Sequence, residues 1–448
     1  MEEKKKDIRM RRTNQTSTPS TTSPPPTLPE KGWMQQVLGA RSRSSVPGLV
    51  ATHINIFVYA FAFWLQQPVL GFITKSLGGS AATFGMLQSF FSVVQLVGGP
   101  IMGSMADSYS PRTILALSIA SGGLSYGLLA VTHSLPMLFA SKIPSVAMHA
   151  MLAAQACVSI LSAEDARSVA LGRLSLSYGV GMVSGSGLGG TLSRIFSLHA
   201  VAALASLVSF LCVILTFPYL PASQGISGGE EEDKKKTDGE GSGEGGAKSA
   251  GLLGALGASL RLLVSPHLGP VMVFVAGVGL ALSMQRSTFA MMADEVFGMS
   301  AEELGWVMSY GAALALAANV IVVPLLTSAM SEVAVSVTAA ATLGLGFVGY
   351  AQASSRTEVL LVLIPLSFAS ATLYTVTTAV ISKVVPEDLI GSAIGLRHGL
   401  GSALGVIAPL LGNSILDLAS PVALAYTCAA LAFSASLLGH LFLRPENC

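Results

Sequence analysis

Residues 102–113 read MGSMADSYSPRT, a polar stretch that lies between two long apolar runs. FFSVVQLVGGPI precedes it at 90–101, and ILALSIASGGLSYGLLAVT follows at 114–132. A membrane-crossing helix needs about 20 predominantly apolar residues. A short polar break between two apolar runs therefore indicates two consecutive membrane spans joined by a tight loop.

The composition of the whole chain supports this interpretation. Hydrophobic residues make up 51% of the 448 residues, charged residues 11%, and the mean hydropathy is +0.65. A soluble domain carries roughly 25% charged residues, so the composition predicts a membrane protein. The net charge of +1 gives no indication of nucleic-acid binding.

Apolar runs of sufficient length predict an all-α membrane protein with twelve transmembrane helices. The predicted spans are 49–74, 84–106, 113–133, 136–160, 169–192, 197–219, 270–293, 304–326, 333–353, 358–382, 391–414 and 421–442. They divide the chain into a disordered cytoplasmic tail (1–48), two six-helix bundles (49–219 and 269–443) with a cytoplasmic linker between them (220–268), and a short tail (444–448). The linker is rich in Gly and charge, as flexible linkers are. Within it, 251–265 is either a short surface helix or the lead-in to the seventh span.

The two bundles resemble each other at an offset of 223 residues. Glu164 corresponds to Glu387, Gly172 to Gly395 and Gly189 to Gly412. Duplicated six-helix units are typical of transporters, whose substrate site lies between the repeats near the middle of the membrane. The sequence therefore predicts two pseudo-symmetric halves.

The distribution of Lys and Arg predicts the orientation. Under this map nineteen of the 25 lie in cytoplasmic segments, three lie in outer segments (Lys75, Arg194 and Arg356), and three lie within spans. Basic residues concentrate on the cytoplasmic side of membrane proteins. Both termini are thus expected in the cytoplasm. The protein itself is expected in the plasma membrane or in an organelle membrane.

The loop after the second span carries Gly103, Asp107 and Arg112, spaced as in the signature Gly-x-x-x-Asp-x-x-Gly-x-Arg. On this motif the chain resembles the major facilitator superfamily. GMLQSFFSVVQLVGGPIMGSMAD and ALGRLSLSYGVGMVSGSGLGGTL are similar to its organic-cation-transporter-like members, which are related to tetracycline and multidrug proton antiporters. One departure is Ser110, which replaces the second Gly of the motif.

We expect this loop to act as a conformational latch. Gly103 would allow close helix approach, and Asp107 would pair with Arg112 or a helix N-terminus. The alternative is a generic surface ion pair of little energetic value.

The fifth span contains GVGMVSGSGLGG, similar to an antiporter signature of the family. Glycines at this spacing form a smooth face for a neighbouring helix. Ser186 replaces the Pro of that signature, which its repeat counterpart Pro409 retains. Plain helix packing is an alternative to an antiport role. The glycines concerned are Gly181, Gly185, Gly189 and Gly190.

Polar groups within spans are costly and mark candidate functional sites. Lys142 and His149, seven residues apart, are expected on one face of the fourth span. The alternatives are a snorkelling lysine and a hydrogen-bonded core histidine. The complete candidate cavity set is Lys142, His149, Gln66, Gln95, Gln155, Arg286, Asn319, Arg397 and His398.

The ionisable members of this set are all basic, because the acids fall in tails, loops and span ends. A cationic substrate, which the resemblance implies, would then lack a partner unless an end-of-span acid such as Asp294 reached the cavity. The residues instead favour an anionic, zwitterionic or neutral solute.

These observations predict a secondary active transporter of a small organic solute, coupled to protons through His149. The alternatives are an uncoupled facilitator and a non-transporting scaffold or receptor. Enzyme signatures, metal-ligand spacings and cofactor motifs are not evident in the sequence. The expected partners are the solute, protons and membrane lipid, and we expect a monomer.

Overall fold

The computed structural model describes residues 33–163, 166–220, 265, 268–386 and 389–443. The predicted N-terminal tail up to residue 32, most of the predicted linker with its surface helix, and the predicted tail 444–448 lie outside these ranges. The described residues are almost entirely helical. Within them the only extended pairing is an isolated bridge between Ala40 and Ser162.

The first half contains six spans, which follow a short helix, Trp33–Leu38. Serines cap several of these helices: Ser80, for example, accepts a hydrogen bond from the Thr83 amide at the start of the second span. The six spans are Val46–Ser76, Ala81–Ser108, Pro111–Ala130, Leu135–Leu161, Arg167–Ile195 and Leu198–Thr216.

The second half repeats this arrangement. Ser300 caps its second helix as Ser80 does in the first half. Its six spans, the seventh to twelfth of the chain, are Leu268–Glu295, Ala301–Ala329, Glu332–Gln352, Arg356–Val384, Ile390–Leu418 and Pro421–Phe442.

The twelve-helix prediction is confirmed. Eleven of the described helices are long and apolar enough to cross a membrane. The twelfth, Arg167–Ile195, is equally long, but its many Gly and Ser residues lower its hydropathy. The chain is thus a multi-pass membrane protein.

Two spans are not continuous α-helices. The fourth consists of the helix Leu135–Ala140, a 3₁₀ segment Ile143–Ala147 and the helix Ala150–Leu161. Pro144 lies in the 3₁₀ segment, where its missing amide hydrogen prevents a regular helix. The span predicted at 136–160 is therefore present as Leu135–Leu161, but Lys142 and His149 do not share one continuous helix face as expected. The eighth span changes to a π-helix at Ala318–Val322.

The repeat is visible in the packing of the halves. A Cβ added at Gly189 would lie 2.0 Å from the Leu65 carbonyl oxygen, so the fifth span lies directly against the first. Gly412, its counterpart, lies against Thr288 of the seventh span, and Thr288 is 223 residues after Leu65. Equivalent positions therefore make equivalent helix contacts.

The buried apolar residues form two clusters. The larger one includes residues of both halves, among them Leu65, Leu87 and Met284. The smaller one contains residues of the first half only, such as Ile56 and Met102. It lies toward the same end of that half as the loop at 109–110. The halves thus share one core toward one membrane face and not toward the other.

Candidate functional site

The loops that join the spans define two faces of the bundle. The predicted outer face carries the loops at 77–80 and 296–300, and the predicted cytoplasmic face carries those at 109–110 and 330–331. Between these faces lies a cavity of about 420 Å³, which we call the central chamber. Residues of both halves line it, from the first, second, third, fourth, fifth, seventh, eighth and eleventh spans.

Two smaller cavities adjoin the chamber, and we call them together the vestibule. One, of about 390 Å³, shares Ser92 and Gly405 with the chamber, and the other, of about 280 Å³, shares Arg286 with it. Both include Arg397. Because Arg397 lies near the start of the eleventh span, the vestibule extends from the chamber toward the predicted cytoplasmic face.

The charged residues that line these cavities are all basic. Lys142 and Arg286 line the chamber, and Arg397 and His398 line the vestibule. No Asp or Glu is among the residues described as lining the three cavities. The site therefore presents positive charge to any solute within it.

Lys142 is the most deeply placed of these cations, with 5% of its surface exposed. The interruption of the fourth span brings it to the chamber wall, where it caps the 3₁₀ segment. Among the described residues its ammonium group has no hydrogen-bond or ion-pair partner. A buried cation in this state is costly unless a negative group reaches it.

Arg397 is held in place by one residue of the tenth span. Its guanidinium donates to the Tyr374 carbonyl oxygen over 3.1 Å, and its Cζ lies 4.3 Å from the centre of the Tyr374 ring. A cation over an aromatic face is stabilised by the ring quadrupole. Arg397 is thus fixed at the vestibule wall without an acidic partner among the described residues.

Three candidate amides lie at these cavities. Gln66 lines the chamber and donates to the Phe63 carbonyl oxygen over 3.1 Å. Gln95 lines the vestibule and donates to the Ser145 carbonyl oxygen over 2.8 Å. Asn319 lies in the π-helical turn and accepts from the Thr375 hydroxyl over 2.6 Å. Single π-turns within α-helices are frequent at functional sites.

Two candidates lie outside the three cavities. His149 lies instead against the second span, where a Cβ added at Gly98 would be 2.9 Å from its Nε2 atom. Gln155 is exposed and lines none of the three. In this conformation neither residue lines the chamber or the vestibule, and their contribution to the site stays a prediction.

Two of the three residues of the predicted latch, Gly103 and Arg112, can be described in this conformation. A Cβ added at Gly103 would meet nothing within 4 Å, so the expected close helix approach is absent there. Arg112 places its Cζ 4.4 Å from the centre of the Phe217 ring, within the first half. The side chain of Asp107 is outside the described part of the structure.

The glycines of the fifth span divide between two neighbours. Gly181, Gly185 and Gly189 lie against backbone atoms of the first span, between Phe57 and Leu65. Gly190 instead contacts the eighth span, where a Cβ would be 2.7 Å from the Glu302 carbonyl oxygen. This face therefore serves both the internal packing of the first half and its contact with the second.

A pseudo-symmetric pair of contacts, which we call the outer seam, joins the halves between the chamber and the predicted outer face. In one contact, a Cβ at Gly305 of the eighth span would lie 2.5 Å from the Ser186 carbonyl oxygen. In the other, a Cβ at Gly85 of the second span would lie 2.6 Å from the Pro409 carbonyl oxygen. Ser186 and Pro409 are the repeat-related pair at which the sequence departs from its own symmetry.

Hydrogen bonds repeat the same symmetry. The Ser309 hydroxyl donates to the Val183 carbonyl oxygen over 2.7 Å. The Ser89 hydroxyl donates to the Val406 carbonyl oxygen over 2.6 Å. Val183 and Val406 are again 223 residues apart. Each half thus binds the other through a serine hydroxyl next to a glycine contact.

Two ion pairs cross between the halves at the predicted outer face. Lys75 and Asp294 are separated by 2.6 Å, and Arg194 and Glu302 by 3.3 Å. Asp294 therefore has a partner at the end of the first span, and it does not line the chamber or the vestibule. Sequence reasoning placed Lys75 and Arg194 on the outer side but did not identify their partners, because pairing depends on helix packing.

Comparison with known proteins identifies the family to which this chain is similar. The family description Major Facilitator Superfamily matches residues 52–282 and 271–447. Mouse solute carrier family 22 member 18 is 31% identical over 373 residues, covering 82% of this chain and 88% of the mouse protein. Human solute carrier family 67 member A1 is 33% identical over 387 residues, covering 84% and 87%.

Solved structures show the same fold. A human organic anion transporter superimposes with a TM-score of 0.63 at 19% identity, covering 88% of this chain and 99% of that one. A peptide transporter solved with sulfate gives a TM-score of 0.68 at 15% identity, covering 88% and 93%. The chain is accordingly a transmembrane transporter rather than an enzyme, and it belongs to the major facilitator superfamily.

Proposed function

We propose that this chain is a secondary active transporter that moves a small organic anion across the membrane by alternating access. The observation that carries the proposal is the charge of the site. Lys142 of the first half and Arg286 of the second half line one chamber, and the residues described as lining it include no carboxylate.

The charge preference follows from the cost of burying ions. Transfer of an unpaired cation from water into a protein interior is costly, and a nearby negative group offsets that cost. An anion in the chamber would supply this group to the buried Lys142, and it would also attract Arg286, which is exposed. A cationic solute would meet only positive charge, since Asp294 is paired with Lys75 elsewhere.

The contacts between the halves support alternating access. The outer seam and the two crossing ion pairs hold the halves together on one side of the chamber. The vestibule leads away from the other side. We infer that this conformation alternates with one in which the seam is open and the latch of Gly103, Asp107 and Arg112 is closed.

Proton coupling is part of the proposal. His149, the candidate chosen from the sequence, is packed near Gly98, and a second histidine, His398, lines the vestibule. A protonated histidine near the path would favour entry of an anion. Transport is therefore expected to become faster as the pH falls.

Names of related proteins agree with parts of this proposal. The structural neighbour with a TM-score of 0.63 is called an organic anion transporter. The class B tetracycline resistance protein of Escherichia coli is 32% identical over 165 residues, covering 35% of this chain and 41% of that protein. These likenesses support transport of an organic solute, and the charge of the chamber supports an anion.

The test is solute uptake into vesicles that contain the purified chain, with and without a pH gradient. Carboxylates and quaternary ammonium compounds of matched size are compared as inhibitors of a labelled carboxylate. We expect the carboxylates to inhibit more strongly, the gradient to accelerate uptake, and Lys142→Gln to reduce uptake about tenfold, as expected for loss of a charged hydrogen bond. Lys383→Gln, at a span end and paired with Glu332, is the matched control.

Three outcomes would contradict parts of the proposal. Stronger inhibition by quaternary ammonium compounds, together with full activity of Lys142→Gln, would overturn the anion preference. Uptake that does not respond to the pH gradient would identify an uncoupled facilitator. Absence of uptake for every solute by correctly folded protein would favour a scaffold or receptor.

A further inference from the structure

We propose that the anion bound in the central chamber is an aromatic carboxylate, whose ring packs on the aromatic wall of the first half and whose carboxylate binds Lys142 and Tyr126. This inference rests on the proposed function and assigns the substrate class of the same site.

One wall of the chamber is aromatic and internally fixed. Trp64 donates its indole N–H to the Tyr178 hydroxyl over 3.3 Å. The Phe63 ring meets the Trp64 ring edge to face, with centroids 5.7 Å apart, and its centroid is 6.2 Å from that of Phe91. All four residues line the chamber. Rings held in this way favour a flat aromatic ligand, because stacked and edge-to-face contacts add to simple burial.

A polar pocket lies in the same half. Tyr126 is 3% exposed, and its hydroxyl has no hydrogen-bond partner among the described residues. Its neighbour Ser125 donates to the Ser141 carbonyl oxygen over 2.7 Å, which holds Tyr126 beside the segment that carries Lys142. Tyr126 and Lys142, both buried, thus line the chamber from the consecutive third and fourth spans, and a carboxylate has the lone pairs to accept from both.

A third group at the chamber also lacks a partner. Gln66 is 2% exposed, and its side-chain oxygen is unpaired among the described residues. A buried polar atom without a partner costs free energy until a ligand or water supplies one. A hydroxyl or N–H group on the ring of the ligand would satisfy this oxygen.

The second half contributes mainly Arg286 to the charge of the chamber. Because Arg286 is on the seventh span and Lys142 is on the fourth, a carboxylate bound to Lys142 gives the second half a group to attract. The chamber volume of about 420 Å³ lies in the range of sites that enclose small organic ligands. The size and lining of the chamber thus match one small aromatic anion that binds mainly to the first half.

Binding is measured by the fluorescence of Trp64. The chain has three tryptophans, so the double variant Trp33→Phe, Trp306→Phe leaves Trp64 as the reporter. The full chain in detergent is titrated with phenylpropionate, with cyclohexylpropionate and with phenylpropyl trimethylammonium. Phenylpropionate and cyclohexylpropionate differ in the ring, and phenylpropionate and phenylpropyl trimethylammonium differ in the charge.

We expect saturable quenching by phenylpropionate, with about fivefold weaker binding of cyclohexylpropionate, the scale of an aromatic contact. Lys142→Gln should weaken phenylpropionate about tenfold. Tyr126→Phe should weaken it less and leave the preference for phenylpropionate over cyclohexylpropionate unchanged. Lys383→Gln, checked for the same elution volume, should bind as the parent does.

The outcomes separate this inference from the proposed function. Equal affinity for the two carboxylates, or no saturable quenching by either, overturns the aromatic class while vesicle uptake of other carboxylates still stands. Unchanged binding by Lys142→Gln overturns the assignment of the carboxylate to Lys142. Tighter binding of the ammonium probe, with no carboxylate uptake in vesicles, overturns the inference and the proposed function together.

Discussion

The two faces of the bundle differ in how the halves meet. Toward the predicted outer face they share a buried apolar cluster, and Gly85 and Gly305 bring backbones into direct contact. Toward the predicted cytoplasmic face, the first half has its own cluster, and Gly103, Gly172 and Gly395 each have space for a side chain. The second and eleventh spans, and likewise the fifth and eighth, are thus in contact near the predicted outer face. Near the predicted cytoplasmic face the same spans leave open space at these glycines.

The contacts that join the halves at the predicted outer face are individually weak, as the proposed alternation between two states requires. The crossing ion pairs are partly exposed, and such pairs contribute about 0.2–1 kcal/mol each. The glycine contacts bury backbone without interlocking large side chains. A ligand that binds one state more tightly by a few kcal/mol would therefore suffice to shift the equilibrium between the faces.

The largest effect is expected from a side chain in the outer seam. The Cβ of Gly305→Ala would lie 2.5 Å from the Ser186 carbonyl oxygen, so the seam has to part. Overpacking of this kind costs about 1–3 kcal/mol, and each ~1.4 kcal/mol shifts a two-state equilibrium about tenfold. We expect transport to fall at least tenfold, and a cysteine replacing Ser309 to react with an impermeant reagent added outside the cell.

The repeat provides a second variant for this comparison. Gly85→Ala, at the symmetric contact, should produce the same loss. Gly172→Ala is the matched control, because nothing lies within 4 Å of its Cβ. Normal transport by both seam variants, each correctly folded, would show that the transport cycle does not require close contact at the outer seam.

A smaller effect is expected from the outer ion pairs. Asp294→Lys places like charges together at Lys75 and should increase outside labelling of the same cysteine about fivefold or less, given the value of exposed pairs. The exchange Lys75→Asp, Asp294→Lys should restore the parent labelling. Failure of the exchange to restore it would indicate that Asp294 acts through something other than Lys75.

The smallest effect is expected at the predicted cytoplasmic face. If Asp107 belongs to a latch that forms only when this face closes, Asp107→Asn should fold normally and slow turnover about twofold, since only the conformational equilibrium changes. Initial rates of uptake, normalised to the amount of protein in the vesicles, measure this. An unchanged rate would favour the alternative to a latch, in which Asp107 and Arg112 form a generic surface ion pair.

Much of the fold was predictable because hydropathy is a local property. The second span, predicted at 84–106, is Ala81–Ser108, and the twelfth, predicted at 421–442, is Pro421–Phe442. The fourth span, predicted at 136–160, is also present as Leu135–Leu161, but the 3₁₀ segment around Pro144 interrupts its helix. A proline indicates a disturbance, but the neighbouring helices decide whether it becomes a bend or a break.

The site was predictable only in part. The sequence indicates Lys142 and Arg286 as costly charges within spans, and both line the chamber. Tyr126 and Tyr178 also line the chamber but could not be predicted as site residues. An aromatic residue in an apolar span gives no signal that distinguishes a cavity from a core. The seven-residue spacing of His149 from Lys142 predicts one shared helix face, and this prediction does not hold where the helix is interrupted.

The sequence by itself determined the membrane environment, the number of spans, the duplication and the basic character of the in-span charges, because each is a property of residues near in the chain or of a repeat within it. Only the tertiary structure decided which of these groups converge on one chamber and which glycines hold the halves together. Those contacts join helices that are 100 or more residues apart, such as the fifth and eighth spans at Gly190 and Gly305. Their formation depends on the packing of complete helix surfaces, which no single stretch of sequence contains.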